Sequence, residues 1–123
     1  YVELSYAITN KMNYAPVRNR AGNFVVASKD SIKAAATAAE WKDVKDFSLV
    51  ITDAPGANSY PVSATNFIIM YKTPKNAQRS KDTLAFFDWA YANGDVTAEN
   101  LGYVALPAEL TKSIKAYWAA SIK

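Results

Sequence analysis

The run FIIMY at residues 67–71 is apolar at every position, and it constrains the fold of this 123-residue chain more than any other feature. Successive side chains of a strand point to opposite faces of a sheet, so a strand without polar positions needs cover on both faces. Pro61 precedes the run and restricts Tyr60 to an extended backbone, and Pro74 follows it. We therefore predict a buried strand over residues 67–71 in an α/β protein whose sheet is covered by helices.

The first part of the chain predicts strands followed by a helix. Polar and apolar residues alternate over residues 1–7, which favours a strand. Residues 12–20 and 23–27 are interpreted as a hairpin, with Gly22 supplying the positive φ that a short turn needs. An isoleucine and alanine stripe over residues 29–40 predicts a helix that Ser28 caps and Trp41 closes against the core.

Three further helices are predicted after the apolar run. Ser80 is expected to cap the first of them, and Gly94 to end it. Thr97 is expected to cap a short helix through Leu101, and Pro107 to occupy the first helical position of the last helix. That helix should present one apolar face, formed by Leu110, Ile114, Tyr117, Trp118 and Ser121.

The segment TDAPGAN at residues 52–58 is a loop by every turn signal, and it is the best candidate for a hinge between lobes. The six residues YPVSAT that begin at Tyr60 carry hydroxyls at the entry to the predicted strand. Such hydroxyls can donate to an oxyanion, but we favour a structural role for them. No Walker loop or dinucleotide-binding glycine pattern occurs in the sequence.

Composition argues against an enzyme. The chain has no histidine and no cysteine, which removes the commonest general base, thiolate nucleophiles and most transition-metal ligands. We therefore predict no catalytic residue, no metal and no cofactor. The net charge of +3 is mild and the basic residues form no cluster with aromatic residues, so nucleic-acid binding is not expected.

The carboxylates do not form a convincing acid–base pair. Asp43 and Asp46 lie beside Lys42 and Lys45, which is typical of a solvated charged face. Glu99 is also expected at the surface near a lysine. Asp88 lies within the aromatic sequence FFDW, so it must point outward or pair with a cation.

In this order the features resemble the C-terminal portion of the periplasmic phosphate-binding proteins of Pst ABC transporters. The resemblance covers nearly the whole chain and places no special demand on Gly102. It is carried by residues 1–7, the aromatic-proline crossover and apolar strand within residues 53–72, the helix motif FFDWAY with Gly94, and the spacing of Leu101, Tyr103, Leu106 and Pro107.

The resemblance implies a type II periplasmic-binding-protein fold, in which two α/β lobes close on a ligand about a hinge. It assigns residues 1–55 to the second lobe, residues 56–62 to the hinge crossover and residues 63–123 to the return segment of the first lobe. Tyr60, Pro61 and Val62 are then hinge-proximal. The family's phosphate ligands include a Ser-Gly-Thr helix start and lie upstream of the matching segment, so we expect no first-shell phosphate ligand in this chain.

The function implied is capture of inorganic phosphate in the periplasm and its delivery to an ABC permease, with the signal peptide outside this chain. Two alternatives stay open: the same fold binding another oxyanion, or an α/β interaction fragment that binds no ligand. A C-terminal fragment would expose sheet edges and apolar faces, so we also expect it to self-associate as a homo-oligomer.

Overall fold

A computed structural model describes residues 1–41, 44 and 46–123. The charged face predicted at Lys42, Asp43 and Lys45 therefore lies outside the described residues. The elements in chain order are α1 (Leu4–Thr9), β1 (Val17–Arg18), β2 (Phe24–Val25), α2 (Lys29–Ala38), α3 (Ala77–Asn93), α4 (Asp95–Asn100) and α5 (Ala108–Ser121).

The N-terminal strand prediction is wrong, because residues 4–9 form helix α1. The Ala7 N–H donates to the Glu3 carbonyl at 3.0 Å, and Ala7 is the one buried residue of the helix. The described residues place no strand beside this segment, so its alternating pattern has no sheet to join. Helical hydrogen bonds, which need no distant partner, satisfy its backbone instead.

The hairpin prediction is confirmed, although its strands are shorter than the sequence suggested. Val17 pairs with Val25 and Arg18 with Phe24 in antiparallel register. Gly22 has φ +89° in the connecting turn. Pro16 immediately precedes β1 and has no N–H to extend the ladder.

Helix α2 also forms as predicted. Ser28 Oγ accepts from the Ser31 N–H at 3.2 Å, and Ser31 Oγ accepts from the Ser28 N–H at 3.0 Å, which completes a reciprocal cap. Beyond the helix, the indole N–H of Trp41 donates to the Ala36 carbonyl at 2.7 Å. The small buried side chains of Ala35 and Ala36 face the core of this part of the chain.

The predicted buried strand at residues 67–71 is not formed in this chain. The segment is assigned to neither helix nor strand. Phe67, Ile69 and Tyr71 are 56%, 93% and 82% exposed, respectively. The prediction fails because burial on two faces needs neighbouring strands and covering helices, and no described residue supplies such a strand.

The C-terminal helices form, but three cap predictions are wrong. Helix α3 begins one turn earlier than expected, because Asn76 Oδ1 accepts from the Arg79 N–H at 2.9 Å and caps it. The predicted cap, Ser80, lies inside the helix and is 8% exposed. Helix α4 begins after Gly94, which places Thr97 within it. Pro107 is the N-cap residue of α5, one position before the predicted one. Gly94 ends α3 as predicted.

The buried centre of the chain lies around α2. Ala27, Ala35, Ala36, Ile51 and Ala54 are each at most 6% exposed. They bring together the end of the hairpin, helix α2 and the start of the loop that follows residue 51. The described residues thus form helices with one two-stranded sheet, and they position the loop at residues 52–63 against α2.

Candidate functional site

The loop at residues 52–63 is closed at its base. The Asp53 N–H donates to the Pro61 carbonyl at 2.8 Å, and Thr52 Oγ1 donates to the Ser63 carbonyl at 3.3 Å. The Tyr60 N–H donates to the Ser31 carbonyl at 3.0 Å, which ties the returning arm of the loop to helix α2. The loop is therefore a compact surface loop whose two ends meet.

Asn19 holds the tip of this loop. Its side-chain Nδ2 lies 3.2, 2.9 and 3.1 Å from the carbonyl oxygens of Gly56, Ala57 and Ser59, and its Oδ1 accepts from the Asn23 N–H at 3.0 Å. Asn19 is 6% exposed. Sequence reasoning missed this residue. Its position just after β1 is an ordinary turn signal, and nothing local links it to a loop nearly forty residues away.

The three residues predicted to be hinge-proximal, Tyr60, Pro61 and Val62, differ in their surroundings. Pro61 is buried, Tyr60 is half-buried and the side chain of Val62 is 66% exposed. They are consecutive in the returning arm of the loop, and the backbone of Tyr60 and Pro61 is hydrogen-bonded to the body around α2.

Two hydroxyls near the strand entry have structural roles, and for Ser63 the sequence interpretation favoured such a role. Ser59 Oγ donates to the Pro55 carbonyl at 2.7 Å, and Ser63 Oγ donates to the Tyr60 carbonyl at 2.8 Å. A hydroxyl has one proton to donate, so neither is free to donate to an oxyanion. Thr65 Oγ1 differs, since it is buried and has no partner among the described residues.

The described carboxylates are surface groups with local partners. Asp88 pairs with Lys115 at 2.7 Å and Glu99 pairs with Lys29 at 2.5 Å, as the sequence led us to expect of acids near lysines. The hydrogen bond from Lys29 to Glu99 raises the pKa of that lysine. The Ser48 hydroxyl and N–H both donate to Asp46, and they lower the pKa of that carboxyl.

An apolar groove of about 560 Å³ lies between residues 65–70 and helices α3 and α5. The apolar face predicted for α5, from Leu110 to Ser121, lines it. Aromatic pairs form its walls: Tyr91 stacks on Trp118 with ring centroids 5.9 Å apart, and Phe47 meets the edge of Tyr117 at 5.7 Å. Burial raises the pKa of the Tyr91 hydroxyl. Such a lining suits apolar side chains rather than an anion.

The described residues contain no group of three or more acidic side chains placed to hold a metal ion. Among the helices of the described ranges, none has the length and apolar character that crossing a bilayer would require. Neither a metal centre nor a helical membrane anchor is thus found in the part of the chain that the structure covers.

Comparison with known proteins finds relatives that align with the whole chain. A phosphate-binding protein PstS of Xylella fastidiosa is 50% identical over all 123 residues, and that of Haemophilus influenzae is 37% identical over the same span. PstS of Methanocaldococcus jannaschii is 33% identical over 91% of the chain. The chain is a homologue of the PstS phosphate-binding proteins. No protein-family model matches it.

The homology concerns the C-terminal portion of PstS, as the sequence features indicated. The chain spans 34% of the length of the Xylella protein and 37% of the Haemophilus protein. The PstS relatives imply a periplasmic-binding-protein fold.

Proposed function

We propose that this chain is part of a periplasmic solute-binding protein that captures inorganic phosphate and delivers it to an ABC permease. The observation that carries the proposal is the 50% identity to a PstS phosphate-binding protein across the whole chain. In this role the protein binds and releases its ligand unchanged, so it is not an enzyme. The absence of histidine and cysteine from the sequence is consistent with that role.

The proposed architecture is a type II periplasmic-binding-protein fold with two lobes. Residues 1–55 belong to the second lobe, residues 56–62 to the crossover, and residues 63–123 to the first lobe. In support, the loop that ends at Ser63 is fastened to the hairpin and α2, whereas residues 64–71 have no backbone hydrogen bond to the described residues around them. Backbone freedom therefore increases just beyond the proposed crossover.

Tyr60, Pro61 and Val62 are proposed as hinge-proximal positions rather than as phosphate ligands. The fixed φ of Pro61 and the bond from the Tyr60 N–H to Ser31 hold the end of the second lobe in place. A change of backbone angle can then concentrate in the few residues that follow. The phosphate ligands are proposed to lie outside this chain, in agreement with the donor bonds already made by Ser59 and Ser63.

A hybrid protein tests this function. The C-terminal 123-residue portion of Xylella PstS that aligns with this chain is replaced by the chain itself, and phosphate binding is measured by calorimetry with the parent protein as control. We expect one phosphate bound per hybrid, with an affinity within about tenfold of the parent, since the proposed ligands come from the retained portion. Sulfate and arsenate titrations of the same hybrid establish which oxyanion it selects.

A hybrid that unfolds in one cooperative transition but takes up no phosphate would overturn the proposal. Tighter binding of sulfate than of phosphate would instead support the alternative of another oxyanion.

A further inference from the structure

Two contacts join parts of the chain that the proposed architecture assigns to different lobes. Lys29, the first residue of α2, pairs with Glu99 of α4 at 2.5 Å. Gly102, in the turn that follows α4, lies so close to α1 that a Cβ there would be 2.7 Å from Ser5 Cα. Ser5 and Lys29 fall in the proposed second lobe, whereas Glu99 and Gly102 fall in the first. The short helix α4 and its terminal turn therefore touch two elements of the opposite lobe.

The charges around Lys29 favour the approach of α4. Asp95 and Glu99 lie four positions apart on α4, so they share one side of that helix, and both attract the Lys29 ammonium group. Helix α4 carries no basic residue. The N-terminus of α2, where Lys29 lies, adds the partial positive charge of the helix dipole. Asp30, the other acid near Lys29, lies on α2 itself. The start of one helix and the acidic side of the other thus attract each other.

The position of this ion pair makes it sensitive to the arrangement of the lobes. Ser31, in the same first turn of α2 as Lys29, accepts from the Tyr60 N–H at 3.0 Å, so the start of α2 is fixed to the proposed crossover. Residues 64–71, which follow the crossover, make no backbone hydrogen bond to the described residues around them. The lobe that carries α4 can therefore move relative to α2, and a motion that separates the two helices breaks the ion pair.

A second ion pair in the chain offers a direct comparison. Asp88 pairs with Lys115 at 2.7 Å, which joins α3 to α5 within the proposed first lobe. Both pairs consist of a lysine and a carboxylate with side chains at least one-third exposed. Pairs of this kind contribute little to the stability of a fold. Loss of the Lys29–Glu99 pair should therefore leave each lobe folded and change only how the lobes are arranged.

We propose that Lys29 and Glu99 form a latch between the lobes that strengthens phosphate binding without touching phosphate. This inference rests on the proposed function, because it takes from there both the lobe division and the ligand. A ligand that binds the closed arrangement binds more tightly when a larger fraction of the ligand-free protein is already closed. The latch acts on that fraction, so Lys29 and Glu99 are positioning residues and the phosphate contacts themselves stay unchanged.

Charge reversal in the hybrid with the upstream portion of Xylella PstS tests the latch by calorimetry with inorganic phosphate. Lys29→Glu places like charges opposite each other and should weaken phosphate binding about three- to fivefold. Adding Glu99→Lys to that variant should restore the affinity to within about twofold of the parent hybrid. Lys115→Glu is the matched control, since it makes the same change of charge in a pair within one lobe, and it should change the affinity less than about twofold.

The spacing of the lobes is measured in the same variants with two spin labels. Lys33→Cys on α2 and Lys112→Cys on α5 supply the attachment points, because both side chains are exposed and the chain has no cysteine of its own. Without phosphate, Lys29→Glu should shift the distribution of label distances, measured by double electron–electron resonance, towards longer values, and Glu99→Lys should reverse the shift. With saturating phosphate, the distribution should match that of the parent hybrid.

Two affinity results would overturn the latch. One is an equal loss of affinity in Lys29→Glu and Lys115→Glu, because the effect would then be one of net charge. The other is a failure of Glu99→Lys to restore the affinity lost in Lys29→Glu. A parent hybrid that takes up no phosphate would contradict the proposed function instead. The label distances still test the latch in that case, and unchanged distances in ligand-free Lys29→Glu would overturn it.

Discussion

Single side chains make contacts that order this chain, and Asn19 forms hydrogen bonds to a loop up to 40 positions away. Its amide ties the turn after β1 to three carbonyls of the loop at residues 52–63. Gly102 also brings two distant parts of the chain together, the end of α4 and helix α1. Its φ is +80°, and a Cβ there would lie 2.7 Å from Ser5 Cα. The sequence resemblance placed no demand on Gly102, but the structure does, because helix α1 packs directly against its backbone.

Asn19→Ala should destabilise the folded protein by about 2–3 kcal/mol, because it leaves the buried Ser59 carbonyl without a donor and removes the bonds to the Gly56 and Ala57 carbonyls. It should also speed proteolytic cleavage at residues 55–58, since the loop tip loses its tether. Asn23→Ala is the control, as its exposed amide makes a single bond to the Ala57 carbonyl at 3.0 Å, and it should cost less than about 1 kcal/mol. Urea unfolding and limited proteolysis measure the two effects. Equal stability losses in both variants would contradict the tether.

Gly102→Ala should be destabilising for two reasons, the positive φ of the backbone and the clash of the new Cβ with Ser5. Gly22→Ala is the control, because it has the positive φ without the clash. At Gly22, φ is +89° and the nearest atoms to a new Cβ are 3.6 Å away on the flexible Arg18 side chain. We expect about 1–2 kcal/mol for Gly22→Ala from the backbone alone, and a clearly larger loss for Gly102→Ala. Chemical denaturation of both variants checks this, and a similar loss in the two would show that α1 moves away without cost.

At the scale of elements, residues close in the sequence explain where α2 and α3 begin and which face of α5 is apolar. The reciprocal cap of α2 and the asparagine cap of α3 each satisfy a backbone donor in the first turn. The face of α5 was predicted residue by residue and lines the apolar groove. Against that face, the Tyr91 ring of α3 stacks on Trp118.

Ser28→Ala removes the acceptor for the Ser31 N–H and should destabilise the protein by about 1 kcal/mol. Ser113→Ala is a suitable control, because its exposed hydroxyl donates only to the Glu109 carbonyl within α5, and it should change stability by less than about 0.5 kcal/mol. The free energy of unfolding in urea distinguishes the two. No loss for Ser28→Ala would show that the cap is redundant.

The pH dependence of stability should report the burial of Tyr91. Burial raises the pKa of its hydroxyl in the folded protein, so the folded state holds this proton more tightly than the unfolded chain does. Its contribution is complete below the unfolded pKa of about 10 and is lost as the pH rises from there through the raised folded pKa. Tyr91→Phe should flatten the stability profile above about pH 10, because it removes the proton whose binding differs between the folded and unfolded states. An unchanged profile in Tyr91→Phe would show that the ring is solvated.

The whole molecule is open rather than compact, since its accessible area of 9,030 Å² exceeds the roughly 6,500 Å² of a compact protein of this mass. The Lys29–Glu99 pair connects the start of α2 with α4, and the approach of Gly102 to Ser5 connects α4's end with α1. Exposed ion pairs contribute little, about 0–1 kcal/mol. The aromatic groove and the segment at residues 67–71 stay uncovered by the described residues, so the stability of this chain depends on what covers them.

The isolated chain should therefore unfold with a low dependence on urea, near the lower end of the range of about 1–3 kcal/mol/M for small proteins, because little surface remains to be exposed. It should also bind a hydrophobic dye in its native state. Adding the complementary portion of Xylella PstS should steepen the urea dependence and abolish dye binding. A steep transition without dye binding in the chain alone would show that it closes its own core.

Local signals predicted the hairpin turn at Gly22, the cap of α2 and the apolar face of α5, because each depends on neighbours within a few positions. The cap at Ser80 was misplaced, since Asn76 offered the backbone an earlier start. The cap at Thr97 was misplaced because α4 begins after Gly94 without any side-chain cap. The hydroxyl of Ser63 was correctly given a structural role. Tyr60, Pro61 and Val62 stay predictions as hinge-proximal positions, because their role is defined by motion between lobes.

The sequence by itself determined the existence of helices α2 to α5, the cap of α2 and the homology to PstS, since these are encoded in residue order and short-range chemistry. The tertiary structure alone decided that residues 4–9 are helical, that Asn19 fastens a distant loop and that Gly102 must lack a side chain. It also decided that residues 67–71 are exposed and irregular in this chain. For Asn19, Gly102 and residues 67–71 the physical reason is that the groups that decide the outcome lie far away in the sequence or are not among the described residues. For residues 4–9 no described strand lies beside the segment, so local helical hydrogen bonds satisfy the backbone.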